Sequence, residues 1–217
     1  MKNKILNITN GEYFNDYFLE NFGEESVPFC EVMMDGDTTS EIFSESFINL
    51  RAKELNVSEQ EYHSKMHVYN KLFNQENAYS KLCLWFGKDT FCQLNLLTLL
   101  AFLEQINYRG EIALNYINDD TFETLQSDID LSLGNYQNIY KSILINKIKP
   151  QYLGVLIENA IDLYFDYKSS NGTLARAVKE NLNLDEYSLI VFLLKISKEY
   201  GLSDIQAKKL IDKYKDR

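Results

Sequence analysis

Residues 81–105 read KLCLWFGKDTFCQLNLLTLLAFLEQ, and this stretch decides the fold of the chain. It begins with an apolar run that is too short for a helix, crosses a Gly-Lys-Asp turn, and enters an apolar segment long enough for about four helical turns. The pattern predicts a strand, a tight loop and a buried helix. In α/β proteins the loop at the carboxyl end of such a strand commonly holds the ligand, so Gly87, Lys88 and Asp89 are the first candidate site residues.

The alternation of strands and helices extends outward from this stretch. Apolar periodicity predicts four strands, at residues 4–8, 27–34, 81–86 and 111–117. It predicts helices between them, at residues 12–22, 40–55, 58–74 and 91–105. Alternation of this kind is typical of an α/β fold, here a Rossmann-like parallel sheet with helices on both faces.

Pro28 determines where the second predicted strand lies. Proline lacks the backbone N–H that a central strand donates, so this strand is expected at an edge of the sheet. With right-handed crossovers the simplest strand order is then 2-1-3-4, and ligands of such sheets bind in the crevice where the winding reverses, between strands one and three. The sequence therefore predicts a binding site formed by Asn10, Gly11, Glu12, Asp35, Asp37, Trp85, Gly87, Lys88, Asp89 and Asp119.

The chain changes character near Pro150. Helical pieces are predicted at residues 121–126 and 136–146, separated by a stretch without a clear pattern. After Pro150 every predicted element is a helix, and the first of them, residues 151–168, has an unusually clean amphipathic repeat. We therefore expect a Rossmann-like domain at residues 1–149 and an all-helical C-terminal domain at residues 150–217.

Charge and composition restrict the classes of function. Residues 1–150 carry 12 Lys and Arg against 22 Asp and Glu, and residues 151–217 carry 10 against 10, which gives the net charge of −10. An acidic surface repels phosphate backbones and anionic lipids, so we expect no nucleic-acid or membrane binding. The sequence shows neither a signal segment nor an apolar run of roughly 20 residues, so a cytoplasmic location is expected. The three cysteines lack metal-ligand spacing, which predicts reduced thiols without structural zinc.

Each candidate in the central loop has a functional and a structural interpretation. Asp89 would bind a divalent metal or act as a general base, or it would simply face the positive end of the helix dipole. Lys88 would contact a phosphate near that helix N-terminus, or it is a solvated loop lysine. Trp85 would stack on a ligand ring, or it packs in the core. Asp35 is the predicted second metal ligand beside Asp89.

The start of the following helix carries two further predictions. Thr90 and Gln93 match a capping box, so Thr90 is expected to cap the helix. Cys92 lies in the first helical turn, where a thiol with a lowered pKa would serve as a nucleophile, although no histidine is near it in sequence. His63 and His67 are spaced for a metal, but a solvated helix flank is the better interpretation of that pair.

Three blocks of the sequence resemble the DUF1835 family of bacterial proteins. These blocks are ILNITNGEYF, VMMDGD and LWFGKDTFCQLNLLTLL, and the pattern W-x-x-x-D-x-x-x-Q-L, here Trp85, Asp89, Gln93 and Leu94, is the most specific part. The resemblance covers roughly the first 145 residues and, more weakly, the tail. It implies a Rossmann-like N-terminal region followed by a helical one, and it implies no particular activity.

These patterns lead to two functional hypotheses. In the first, the crevice binds a small phosphorylated or nucleotide-like ligand, together with Mg²⁺ held by acidic loop residues, and the helical tail closes over it. In the second, the chain is a non-catalytic interaction or regulatory module, in which the C-terminal helices, chiefly residues 151–168, bind a protein partner or a second copy of the chain.

Overall fold

A computed structural model describes residues 4–66, 68, 72 and 79–215. Its centre is one five-stranded sheet in the order β2-β1-β3-β4-β5, with the strands β1 (Ile5–Asn10), β2 (Ser26–Phe29), β3 (Lys81–Phe86), β4 (Glu111–Ile117) and β5 (Thr124–Leu131). The first four strands are parallel, and β5 runs antiparallel to β4. The predicted α/β class, the order 2-1-3-4 and the edge position of the strand that contains Pro28 are confirmed.

The helices follow the predicted alternation and then form the C-terminal region. They are α1 (Glu12–Phe22), α2 (Glu45–Leu55), α3 (Glu59–Lys65), α4 (Thr90–Gln105), α5 (Tyr136–Tyr140), α6 (Glu158–Lys168), α7 (Thr173–Glu180), α8 (Glu186–Ile196) and α9 (Asp204–Lys215). A π-helical turn, Lys141–Ile145, continues α5, and a 3₁₀ turn, Lys198–Tyr200, follows α8. The predicted end of the third helix at residue 74 lies outside the described residues.

The two faces of the sheet bury different partners because side chains alternate along each strand. Leu82, Leu84 and Phe86 of β3 join the main hydrophobic core, where residues 92–103 of α4 are all buried. The opposite face is covered by α1, whose Phe14 and Phe18 form a smaller cluster. The prediction of helices on both faces is therefore confirmed, and α4 is the central helix of the main core.

Several predicted elements differ from the observed ones, and the helix predicted at residues 40–55 begins only at Glu45. The second strand ends at Phe29 instead of residue 34. Buried Arg51 donates hydrogen bonds to the carbonyl groups of Val32 and Asp35, which follow the strand. Residues 124–131 form β5, whereas a short helix was predicted at residues 121–126 and no element in the stretch that follows it. The open edge of β4 supplies backbone partners that a local pattern does not show. Helix α6 begins at Glu158 instead of residue 151, after a turn in which Gly154 has φ of +64°.

The helical region after Pro150 shares its core with the sheet region. Ile161 and Tyr164 of α6 and Leu189 of α8 belong to the same buried cluster as the strand residues of β3. The division into two domains between residues 149 and 150 therefore stays a prediction, and it concerns whether the two regions unfold independently. Within the part of the chain that the structure describes, no helix has the length and apolar character that crossing a membrane requires.

Candidate functional site

A cleft of about 700 Å³ opens over the carboxyl ends of β3 and β4. Lys88 and Asp89 of the β3–α4 loop and Asp119 of the β4–β5 loop line one side. The C-terminal region lines the other side, with Ile157, Asn159, Ala160, Leu194, Ser197, Lys198, Glu199, Gly201 and Leu202. The cleft lies one strand away from the predicted crevice between β1 and β3, because the tail helices cover the ends of β3 and β4.

Asp89, and not Thr90, caps helix α4. One carboxylate oxygen of Asp89 accepts a hydrogen bond from the backbone N–H of Cys92 at 2.7 Å. Thr90 is buried, and its hydroxyl donates to the carbonyl groups of Ala160 and Glu199. The prediction of a Thr90 cap is wrong because contacts with the tail, which no local pattern shows, engage the Thr90 side chain.

Gln93 also has a role other than the predicted capping box. Its side-chain amide donates to the carbonyl of Gly87 at 2.8 Å and accepts from the backbone N–H of Ile157 at 3.0 Å. The buried glutamine therefore ties the β3–α4 loop to the segment that precedes α6. This bond fixes one wall of the cleft relative to the other.

Asp119 approaches Asp89 across the base of the cleft. Its carboxylate lies directly over Gly87, where any Cβ would overlap the carboxylate oxygens. Burial and the charge of Asp89 raise the pKa of Asp119 to about 7. Burial likewise raises the pKa of Asp89. Among the residues that the structure describes, neither carboxyl group forms an ion pair, so the two acids compete with each other for ionisation.

Cys92 connects the two acids below the floor of the cleft. Its buried sulfur donates to Asp119 Oδ1 at 3.3 Å and accepts from the Nδ2 of Asn10 at 2.9 Å. Burial, together with the charges of Asp89 and Asp119, raises the pKa of the thiol well above its ordinary value. The alternative of a nucleophilic thiol with a lowered pKa is not supported, because desolvation and two adjacent carboxyl groups outweigh the helix N-terminus.

The first predicted loop reaches the site only through Asn10. The Oδ1 of Asn10 accepts from the side chain of Asn95 at 3.0 Å, so the side-chain amide of Asn10 at the end of β1 is paired with a buried amide of α4. Gly11, with φ of +86°, makes the turn into α1 and donates to the carbonyl of Phe29. Glu12 is an exposed residue of the first turn of α1. The structure does not place Gly11 or Glu12 in the cleft.

Asp35 and Asp37 lie in a separate polar cluster. Their carbonyl groups accept from the guanidinium of Arg51, and the Asp35 carboxylate accepts from the hydroxyl of Tyr167 at 2.9 Å. Asp37 lies 3.8 Å from the Nζ of Lys147. The structure therefore does not bring Asp35 together with Asp89 as the predicted metal pair, because Arg51 holds the loop of Asp35 at another place.

Trp85 and Lys88 lie on different sides of the sheet end. Trp85 packs against Phe18 with ring centroids 5.3 Å apart, and its indole N–H donates to Asn7. Its core interpretation is confirmed, and it does not line the cleft. Lys88 does line the cleft, where it is exposed and its Nζ lies 5.1 Å from the centroid of the Tyr116 ring.

The ligand-type side chains converge at one point. Asp89, Cys92 and Asp119 each offer one ligand atom, and these three atoms lie within 4.8 Å of one another. Among the residues that the structure describes, this is the one group of three or more such side chains at that spacing. His67 lies outside the described residues, so the spacing of His63 and His67 stays a prediction.

Sequence analysis predicted that the tail closes over the site, but it named none of the tail residues that line the cleft. Ser197 is 1% exposed, and its hydroxyl has no hydrogen-bond partner within the described part of the chain. Asn159 and Glu199 lie on the same side. Their sequence contexts resemble any helix surface, so only the packing of the tail over the sheet reveals them.

No family model matches the chain, and no curated protein or solved structure matches it either. The resemblance to the DUF1835 family stays a prediction from sequence blocks, and the function of the cleft is argued from its own residues.

Proposed function

We propose that the cleft binds a small phosphorylated or nucleotide-like ligand together with a divalent cation. The observation that carries this proposal is the pair of carboxyl groups of Asp89 and Asp119, which meet at the base of the cleft without an ion-pair partner among the described residues. A cation offsets such charges, and protein carboxylates commonly share Mg²⁺ with substrate phosphates. On this proposal Asp89 and Asp119, and not Asp35, hold the cation.

The cleft also suits the ligand in size and charge. Its volume of about 700 Å³ is that of a typical small-molecule site. The chain has a net charge of −10, so a phosphorylated ligand needs a local source of positive charge. Lys88, which lines the cleft close to the N-terminus of α4, supplies one such charge, and the cation supplies another.

A thermal-shift screen tests this proposal. Purified protein is heated with nucleotides and sugar phosphates, each with and without Mg²⁺ or Mn²⁺. A ligand at about 100 times its dissociation constant adds roughly 2.7 kcal/mol, which raises the midpoint by a few degrees. We expect a cation-dependent shift that Lys88→Ala and Asp119→Asn abolish and that the exposed controls Lys195→Ala and Asp130→Asn retain. A flat screen, or a shift that all four variants keep, contradicts the proposal.

A second candidate function is a partner surface on the C-terminal helices. The predicted partner helix, α6, buries Ala160, Ile161 and Tyr164 in the core, so its apolar face is not available. Helix α8 instead exposes Tyr187 by 76% and Val191 by 48%, one helical turn apart. Such a surface suits an interaction or regulatory module that binds a second copy or another protein. Light scattering of the wild type and of Tyr187→Glu tests self-association, and a monomer in both would contradict the homo-oligomer.

A further inference from the structure

We infer that Asp89, Cys92 and Asp119 together form a three-ligand site for a borderline-soft transition metal such as Zn²⁺, which is the cation of the cleft in place of Mg²⁺. This inference rests on the divalent-cation part of the proposed function and names the ion. Cys92 is what distinguishes the two ions, because a thiolate is a good ligand for Zn²⁺ and Co²⁺ and a poor one for Mg²⁺. Three protein ligands leave one position of a tetrahedral ion for water or a ligand.

The spacing of the three side chains fits such an ion. Typical bond lengths of about 2.3 Å to sulfur and about 2.1 Å to oxygen place tetrahedral S and O ligands about 3.6 Å apart. The sulfur of Cys92 lies 3.3 Å from Asp119 Oδ1, and all three ligand atoms lie within 4.8 Å of one another. An ion therefore enters with small rotations of side chains, as the thiol proton leaves to solvent and the sulfur–metal bond forms.

Hydrogen bonds around the group hold the ligand atoms in place. Asn10 directs its Nδ2 at the sulfur, and its amide is oriented because its Oδ1 accepts from Asn95. Asp89 is fixed by the backbone N–H of Cys92. An N–H donor directed at a buried sulfur stabilises a thiolate, and partners of this kind orient the ligands of metal sites.

An independent feature of the cleft supports the binding of a ligand beside the open position. Ser197 lines the cleft, is 1% exposed, and has a hydroxyl without a hydrogen-bond partner among the described residues. A buried hydroxyl is normally paired, so an unpaired one beside a cleft points to a group that arrives with a ligand. The residue after the 3₁₀ turn, Gly201, lies against the carboxylate of Asp89, which brings the segment of Ser197 next to the metal ligands.

Cobalt substitution tests the site directly in the full chain. Metal-free wild-type protein is titrated with Co²⁺, and we expect the near-ultraviolet charge-transfer band of a thiolate–cobalt bond. Cys92→Ser should remove that band and weaken Zn²⁺ binding, measured by competition with a chromophoric chelator, by more than about tenfold. Cys83→Ser, the same change at a half-buried cysteine on β3, should retain both. Zn²⁺ should raise the thermal midpoint more than an equal concentration of Mg²⁺.

The outcomes separate this inference from the proposed function. A missing thiolate band, or wild-type Zn²⁺ affinity in Cys92→Ser, overturns the inference, as does an equal loss in Cys83→Ser. Asp119→Asn, which keeps the thiol, is a second test if Cys92→Ser does not fold, and unchanged Zn²⁺ affinity in that variant also overturns it. Ligand shifts that need only Mg²⁺, without a thiolate band, overturn the inference and leave the proposed function standing. A thiolate band in a protein that binds no phosphorylated ligand in the thermal-shift screen supports the metal site and contradicts the proposed ligand class.

Discussion

Asp119 lowers the stability of the metal-free fold at neutral pH, although the proposed function requires its carboxylate. Its carboxyl group is held beside that of Asp89, and its pKa is raised to about 7 by burial and by that neighbour. A group whose pKa is higher in the folded state stabilises the fold at low pH, and that stabilisation is lost as the pH rises through the folded pKa. An acid kept in such a position is typical of binding and catalytic sites.

Asp119→Asn should therefore stabilise the metal-free protein at neutral and alkaline pH. The ordinary value is 3.8, so the gain should appear between about pH 4 and pH 7 and be constant above that range. Solvent reaches Asp119, and screening limits the gain to about 1 kcal/mol. Urea unfolding at both ends of this range measures it, with Asp130→Asn on β5 as the control. A gain that is equal at both ends would contradict the assignment.

Ser197→Ala should also stabilise the unliganded protein. The substitution removes a buried hydroxyl that has no partner among the described residues, and relief of that kind is worth about 1 kcal/mol. Chemical denaturation measures the gain, and the control is Ser188→Ala, whose hydroxyl donates to Asp185. A loss of stability in Ser197→Ala would mean that the hydroxyl is already paired without a ligand.

At the scale of elements, the loop between β3 and α4 is where the sequence was most informative. A strand too short to be a helix and a long apolar helix fix the ends of the loop, so Gly87, Lys88 and Asp89 were identified from local pattern. What the pattern could not show is that Gly87 makes room for Asp119, which is distant in sequence. Close approach of two loops after neighbouring strands is a consequence of the sheet order.

Gly87→Ala should weaken metal binding with little effect on the stability of the fold. The backbone of Gly87 does not require a positive φ, and the three atoms nearest to the added methyl group all belong to the side-chain carboxylate of Asp119. We expect a cost of less than about 1 kcal/mol in urea unfolding but a loss of more than about tenfold in Zn²⁺ affinity. Gly134→Ala, where a methyl group meets open space, is the matched control. Unchanged metal affinity in Gly87→Ala would remove Asp119 from the metal site.

The segment that follows β2 is held in place by a single side chain from another element. Arg51 of α2 is fully buried, pairs with Glu31 at 3.0 Å and donates to the carbonyl groups of Val32, Asp35 and Asp37. The hydroxyl of Tyr62 also donates to Glu31. From the sequence alone, the acidic turn that contains Asp35 and Asp37 therefore resembled a ligand site. Its partner, Arg51, lies in the helix predicted at residues 40–55, and the sequence did not connect the two.

Arg51→Ala should destabilise the protein strongly. It leaves the buried carboxylate of Glu31 without its cation, and breaking a buried pair costs about 3–5 kcal/mol. Arg176→Ala on the exposed face of α7 should change stability by less than about 0.5 kcal/mol. Urea unfolding of both variants checks the difference, and a cost for Arg51→Ala below that of Arg176→Ala would be inconsistent with the pairing.

At the scale of the whole molecule, the C-terminal region forms the second wall of the cleft. Gln93 binds the chain at Ile157, and Thr90 binds the carbonyl groups of Ala160 and Glu199, so the central helix holds both regions together. The main hydrophobic cluster contains buried residues of both regions. A continuous core of this kind favours a single cooperative transition.

The two regions should therefore unfold together. Trp85, the single tryptophan, reports on the sheet face covered by α1, while far-ultraviolet circular dichroism is dominated by the helices. We expect the two signals to give the same urea midpoint. If the helical signal is lost before the fluorescence changes, the chain divides near residue 149 into independent domains.

The sequence by itself determined the elements whose signals are local. Apolar periodicity in residues 81–105 gave a strand, a loop and a buried helix, and Pro28 placed its strand at the edge, because a missing N–H has the same effect in any context. The order of the four parallel strands followed from these elements and the handedness of crossovers.

Only the tertiary structure decided which side chains meet. Asp119 rather than Asp35 lies beside Asp89, and Cys92 lies close to both. Ser197 lines the same cleft from the helical region, where no sequence pattern had singled it out. The strand β5 likewise depends on the free edge of β4. The physical reason is that a binding site is made by contacts between residues far apart in the chain, and these contacts depend on packing, burial and the place of a few buried charges, which no local pattern contains.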